Sequence, residues 1–162
     1  MPKITPFLWF DDQAEEAAEF YVAIFENSRI TSVSRYPEGS PGEAGTAMSV
    51  QFELDGVEFQ ALNGGPVFSF TEAISFVVDA PTQEEIDRLW TALLADGGTP
   101  SQCGWLKDRF GLSWQIVPPI LGELLSDPDP ERQQRTMQAM LQMQKLDIAV
   151  LKAANAGEKV SS

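Results

Sequence analysis

Apolar side chains recur at helical spacing after Asp11-Asp12, where Ala14, Ala17, Ala18, Tyr21, Val22 and Phe25 form one stripe and Glu15, Glu16, Glu19 and Glu26 fall off it. This pattern predicts an amphipathic helix. A second helix is predicted from Thr82, where Pro81 precedes a Thr-x-x-Glu capping box (Thr82, Glu85). Ile86, Leu89, Trp90, Leu93 and Leu94 continue its stripe until Gly97-Gly98. Each helix follows a short apolar run ending in Asp, PFLWFD in one case and ISFVVD in the other.

The pattern then shortens to strand alternation. RITSVSRY, TAMSVQFEL and VEFQAL follow the first helix, the last two meeting at Asp55-Gly56, a strong hairpin signal. TPSQ, CGWLKD and LSWQIV follow the second, the last two meeting around Arg109-Phe110-Gly111. Superimposing Glu15/Glu16 on Glu84/Glu85 brings Phe20/Tyr21 onto Leu89/Trp90, and aligning Gly56 with Gly111 brings VEFQ onto LSWQ. The order strand, helix, three strands therefore occurs twice. It predicts an α+β fold of tandem βαβββ modules at 3–63 and 73–118, with C-terminal helices at 119–156, in a single domain 1–162. In the last part, Asp129 is a cap and Pro130 a first helical residue. They open a helix carrying Met137, Met140, Leu141, Ile148 and Leu151, with GEKVSS frayed at the end.

Composition narrows the chemistry. Of 162 residues 24 are acidic, 11 basic and none is histidine, for a formal charge of −13. Without histidine, Ser-His-Asp and Cys-His nucleophilic sites and His-ligated metals are excluded. The negative charge disfavours nucleic acid and anionic membrane surfaces as partners. Cys103 is the lone cysteine and has no internal disulfide partner. With no stretch of about 18 apolar residues and no basic leader at the start, the expectation is a cytoplasmic protein. Cys103 reads as a small structural residue. Asp11 and Asp12, just before the first helix, read as cap and helix-dipole partners.

Several separate segments, in order, resemble one family: FDDQAEEAAEFY at 10–21, NGGP at 63–66 with FSFTE at 68–72, CGWLKD at 103–108, WQIVPP at 114–119, and DPDPE at 127–131 with MQAM at 137–140. The chain resembles the PhnB-like branch, also called 3-demethylubiquinone-9 3-methyltransferase-like, of the vicinal oxygen chelate superfamily that includes glyoxalase I and the bleomycin-resistance proteins. The resemblance implies two half-barrels enclosing an open cleft, and a homodimer. It places the metal-ligand positions of metal-using relatives near Thr5, Gln60, Ala73 and Gln115, none of which is His, Asp or Glu.

Strand parity puts Thr5, Phe7 and Trp9 on the cleft face, together with Glu58, Gln60 and Leu62, Ala73, Ser75 and Val77, and Ser113 and Gln115. Phe59, Trp114, Phe76 and Val78 then face the helices. The expected ligand-binding set is Thr5, Phe7, Trp9, Gln60, Leu62, Phe70, Ser75, Trp105, Ser113 and Gln115, with no metal and no cofactor. Trp9 either stacks on a flat ligand or fills the end of the cleft. Two functions follow. One is a metal-independent binder of a small organic molecule, with the two glutamines as hydrogen-bonding groups. The other is an enzyme with Glu58 as general base and Gln60 and Gln115 as donors to a developing oxyanion. The methyltransferase name finds no support in the glycines: Gly39, Gly42 and Gly45 fall in a loop after a strand, not in a Gly-x-Gly-x-x-Gly strand–helix turn.

Overall fold

A computed structural model describes residues 2–158. Most of the GEKVSS tail, from Lys159 on, lies outside the described residues. The chain divides into two compact units, Met1–Phe70 and Thr71–Ser162.

The first unit runs β1 (Phe7–Phe10), α1 (Ala14–Ile24), β2 (Arg29–Arg35), β3 (Ala47–Leu54) and β4 (Val57–Asn63). The sheet order is β1-β4-β3-β2, with β1 parallel to β4 and the other pairs antiparallel. Asp55 and Gly56 both take positive φ, 47° and 77°, which is what a two-residue turn matched to strand twist requires. Alternate strand residues are buried: Leu8 and Phe10, then Val50, Phe52 and Leu54, then Phe59 and Ala61. These meet the Ala14, Ala17, Ala18 and Tyr21 stripe of α1, with Phe52 and Phe59 stacked at 5.3 Å. The opposite face of the sheet carries Phe7, Trp9, Glu58, Gln60 and Leu62.

The cap of α1 differs from the expectation on Asp11 and Asp12. The cap position is Gln13, whose side chain makes no capping bond. Instead Asn63 Oδ1 accepts from Ala14 N at 2.8 Å while its Nδ2 donates to Ala47 O at 2.9 Å, so the end of β4 holds the helix start.

The second unit repeats the order: β5 (Ser75–Asp79), α2 (Gln83–Leu94), β6 (Thr99–Pro100), β7 (Trp105–Lys107) and β8 (Ser113–Val117), with sheet order β5-β8-β7-β6. Thr82 caps α2 as its sequence predicts, accepting from Glu85 N at 3.2 Å, while the Glu85 carboxylate pairs with Arg88. Ile86, Leu89 and Leu93 join Leu106, Trp114 and Ile116 in the buried layer. Asp108, 3% exposed, organises the β7–β8 turn: Oδ1 accepts from Phe110 N and Leu112 N, and Oδ2 accepts from Trp114 Nε1 at 2.9 Å.

Three helices follow, α3 (Ile120–Leu125), α4 (Pro130–Leu141) and α5 (Ile148–Ala156). Asp129 caps α4 with Pro130 at its first position, as expected. The single helix expected beyond it is two, because the chain leaves the helix after Leu141 and restarts under a new cap, Asp147, which accepts from Val150 N. The connector is held on the module. Cys103 N and Gly104 N donate to Met143 O and Gln144 O, and Leu146 is fully buried beside Leu121 and Leu151. Gln83 grips both sides of the connector's end, donating to Leu146 O and accepting from Ile148 N. No helix among the described residues is long and apolar enough to cross a membrane.

Candidate functional site

Each sheet turns one face away from its helix, and hydrogen-bond register arranges the side chains there in rows. On the first sheet, one row is Phe7, Gln60, Gln51 and Ser32, with Ser32 Oγ donating to Gln51 Oε1 at 3.2 Å. Trp9 and Leu62 lead the next, with Ser49 and Ser34. The row on the other side is charged: Glu58 and Glu53 face each other, paired outward with Lys3 (2.7 Å) and Arg29 (3.2 Å). Thr5 lies half-buried just ahead of β1.

Trp9 is committed to its own unit. Its Nε1 donates to Gly65 O at 2.9 Å, and its ring lies so close to Gly64 that a Cβ there would come within 2.4 Å of it. Phe68 meets it edge-on at 4.9 Å. This supports the filling role over the stacking one. Phe70 packs on the buried Phe10 at 5.2 Å, so it stands with Phe10 rather than with Trp9.

On the second sheet the rows are Ser75, Ser113, Lys107 and Thr99, then Val77, Gln115 and Trp105. Gln115 Nε2 donates to Ser75 Oγ at 2.9 Å. Ser113 is 1% exposed, and its hydroxyl has no hydrogen-bond partner among the described residues. Lys107 Nζ is ion-paired with Glu72, which reaches it from the turn before β5. The hydrogen bond from Lys107 and its positive charge hold the Glu72 carboxyl below the usual range.

The two sheets match row by row. Gln60 sits opposite Phe7, and Gln115 opposite Val77, each across a parallel pair. Two residues before those partners stand Thr5 and Ser75. The second module's counterpart of Thr5 is therefore Ser75 and not Ala73, which lies in the exposed turn. Sequence reasoning passed over Lys107, Glu72 and Gln51. The first was within reach, because Lys107 shares the parity of Trp105.

The equivalent positions are Thr5 and Gln60 in the first unit and Ser75 and Gln115 in the second; each pair is one hydroxyl and one neutral amide, and neither supplies the ligands of a transition-metal centre. Among the described residues no group of three or more His, Cys, Asp or Glu side chains gathers. Nor does the architecture fit a methyl-donor nucleotide cofactor bound at a glycine-rich turn of a parallel sheet. Cys103 takes a left-handed φ of 58° in the turn that binds the α4–α5 connector, in keeping with a structural role. A groove of about 570 Å³ lies on α4 and α5, but its Arg135 is engaged with the carbonyls of Ala154 and Asn155.

The sequence model of the 3-demethylubiquinone-9 3-methyltransferase family matches residues 2–117. Among solved structures, a PhnB protein from Bacillus cereus that provisionally carries that methyltransferase name is 40% identical, with a TM-score of 0.67 over 72% of this chain and 99% of its own. A Pseudomonas aeruginosa protein, 21% identical, has a TM-score of 0.59 over 73% and 98% of the two chains. The fosfomycin resistance protein FosX from Mesorhizobium loti, 13% identical, has a TM-score of 0.56 over 78% and 98%. The last two share the fold alone. No curated protein matches the chain. The family match stops at Val117, so α3, α4 and α5 lie beyond it.

Proposed function

The chain belongs to the 3-demethylubiquinone-9 3-methyltransferase-like, PhnB-like branch of the glyoxalase and vicinal oxygen chelate fold, and from that premise we propose that it binds a small organic molecule on its open sheet faces without a catalytic metal. The observation that carries this reading is the matched placement of Gln60 and Gln115, with Gln115 held by Ser75. Gln115 lies between two apolar neighbours, Val77 (59% exposed) and Trp105, while Gln60 has the apolar Phe7 (54% exposed) on one side and Gln51 on the other. A few fixed polar groups in an apolar surround are what a small-molecule site uses for orientation and specificity. Thr5, Leu62, Ser75 and Ser113 belong to the same faces. We assign the protein to the cytoplasm as a homodimer, the exposed apolar residues Phe7, Val77 and Ile74 favouring a covering partner.

The enzymatic alternative gains little from the surroundings of Glu58. Its side chain is half exposed, lies opposite Glu53 and is paired with Lys3, far from the apolar setting that makes a carboxylate a strong base.

Native mass spectrometry on protein purified without chelators tests the proposal. The expected result is a small organic adduct that survives EDTA and is lost in Gln115→Leu. A stoichiometric metal that EDTA removes together with the adduct overturns it.

A further inference from the structure

We propose that Lys107 and Ser113 form a receptor for the carboxylate of a small organic acid, with Glu72 as its internal competitor. The proposal rests on the small-molecule reading above and names the ligand's class.

Ser113 is the first observation. It occupies the middle of the row Ser75, Ser113, Lys107, on the same face as Gln115. Its hydroxyl is buried and unpartnered among the described residues. A buried hydroxyl without a partner is costly, so a donor held in that state next to a lysine points to an acceptor supplied from outside. Neighbouring side chains on one sheet face stand about 5 Å apart, close enough for one carboxylate to bridge Lys107 and Ser113.

Lys107 is the second. It is the only basic residue in β5, β6, β7 and β8 of a chain with a net charge of −13. Its present partner is a carboxylate, Glu72, carried on an exposed turn and itself well exposed. An exposed ion pair of this kind is weak, so a ligand acid able to reach Ser113 as well can displace Glu72. The adjoining row supplies the rest of the site: Gln115 for a second polar group, and Trp105 and Val77 as apolar contact for the ligand's body. The class that fits is a small organic acid with an aromatic or apolar body.

Benzoate and its neutral analogue benzamide separate the charge from the shape. Each is titrated into isotope-labelled protein while the Gln115 side-chain amide and the Trp105 indole N–H are followed by NMR. Benzoate is expected to shift both signals and benzamide to bind more weakly. Glu72→Gln, a surface change that leaves the fold intact, is expected to tighten benzoate binding by up to about fivefold. Lys107→Met and Ser113→Ala are expected to weaken it by about tenfold or more and about fivefold respectively, with spectral dispersion reporting that both variants fold. Equal responses to the two compounds, or benzoate binding unchanged in Glu72→Gln and Lys107→Met, overturn the acid receptor and leave the small-molecule reading standing. No response to either compound also overturns the receptor, and the adduct experiment then decides the small-molecule reading by itself.

Discussion

Gln115 Nε2 donates to Ser75 Oγ at 2.9 Å across the parallel β5–β8 pair, joining its row to the one that holds the buried Ser113 hydroxyl. The bond fixes which end of the amide faces outward, leaving Gln115 Oε1 as the acceptor presented to a ligand. Ser75→Ala is expected to cost about 0.5–1 kcal/mol in urea unfolding, because the pair is only part-buried. The same variant should lose the distinct shift of the Gln115 side-chain amide. An amide signal unchanged in position would mean that Ser75 does not orient it.

Ser113→Ala should move stability the other way. Removing a buried hydroxyl that has no partner relieves a desolvation cost, so the variant is expected to be about 1 kcal/mol more stable in urea unfolding without ligand. A destabilised variant would show that the hydroxyl is hydrogen-bonded in solution.

Asp108 is buried and accepts from two backbone amides and from the Trp114 indole, the bonds from Leu112 N and Trp114 Nε1 being buried and that from Phe110 N part-buried. Asn at this position keeps one acceptor oxygen and turns an NH2 toward a donor. Asp108→Asn is therefore expected to cost about 2–4 kcal/mol and to alter the emission of Trp114, read by chemical denaturation followed by fluorescence. A loss below about 1 kcal/mol would mean that the turn does not depend on the charge.

What could be read in advance was whatever periodicity sets. VEFQAL and LSWQIV place Gln60 and Gln115 on the open faces because parity is fixed once Phe59, Ala61, Trp114 and Ile116 are buried. The break between α4 and α5 was illegible for the same reason. Met140, Leu141, Ile148 and Leu151 are compatible with one continuous helix, and the interruption comes from tertiary bonds to Cys103 and Gly104 and from the burial of Leu146. The cap on Ala14 arrives from Asn63, 49 residues away, so nearby Asp11 and Asp12 misled. Glu72 reaches Lys107 from a turn whose path no alternation describes.

Acid should loosen the C-terminal helices first. Asp87, held below the usual range by Lys145 and then Gln83, and Asp127, held down chiefly by the Asp129 amide and also by Asn155, both tie this region together. A carboxyl whose folded value is depressed contributes its stability fully above the unfolded value near pH 4, and loses it as pH falls through the folded value. Urea midpoints are expected to hold from pH 7 to 5 and to fall below pH 4, with a shallower fall in Asp127→Asn. Parallel slopes for the two proteins would remove Asp127 from the account.

Gly104 is the tightest point of the same attachment. It takes φ of +88°, and a Cβ there would stand 3.0 Å from both Ile116 O and Leu146 Cδ1. Gly104→Ala thus combines an unfavourable backbone conformation with pressure on the side chain that seats the connector. The expected cost is about 2–3 kcal/mol in chemical denaturation. Faster hydrogen exchange should accompany it, concentrated in the α4–α5 connector and α5, with β1 to β4 unchanged. Uniform acceleration across both units would show instead that the C-terminal helices open only with the whole chain.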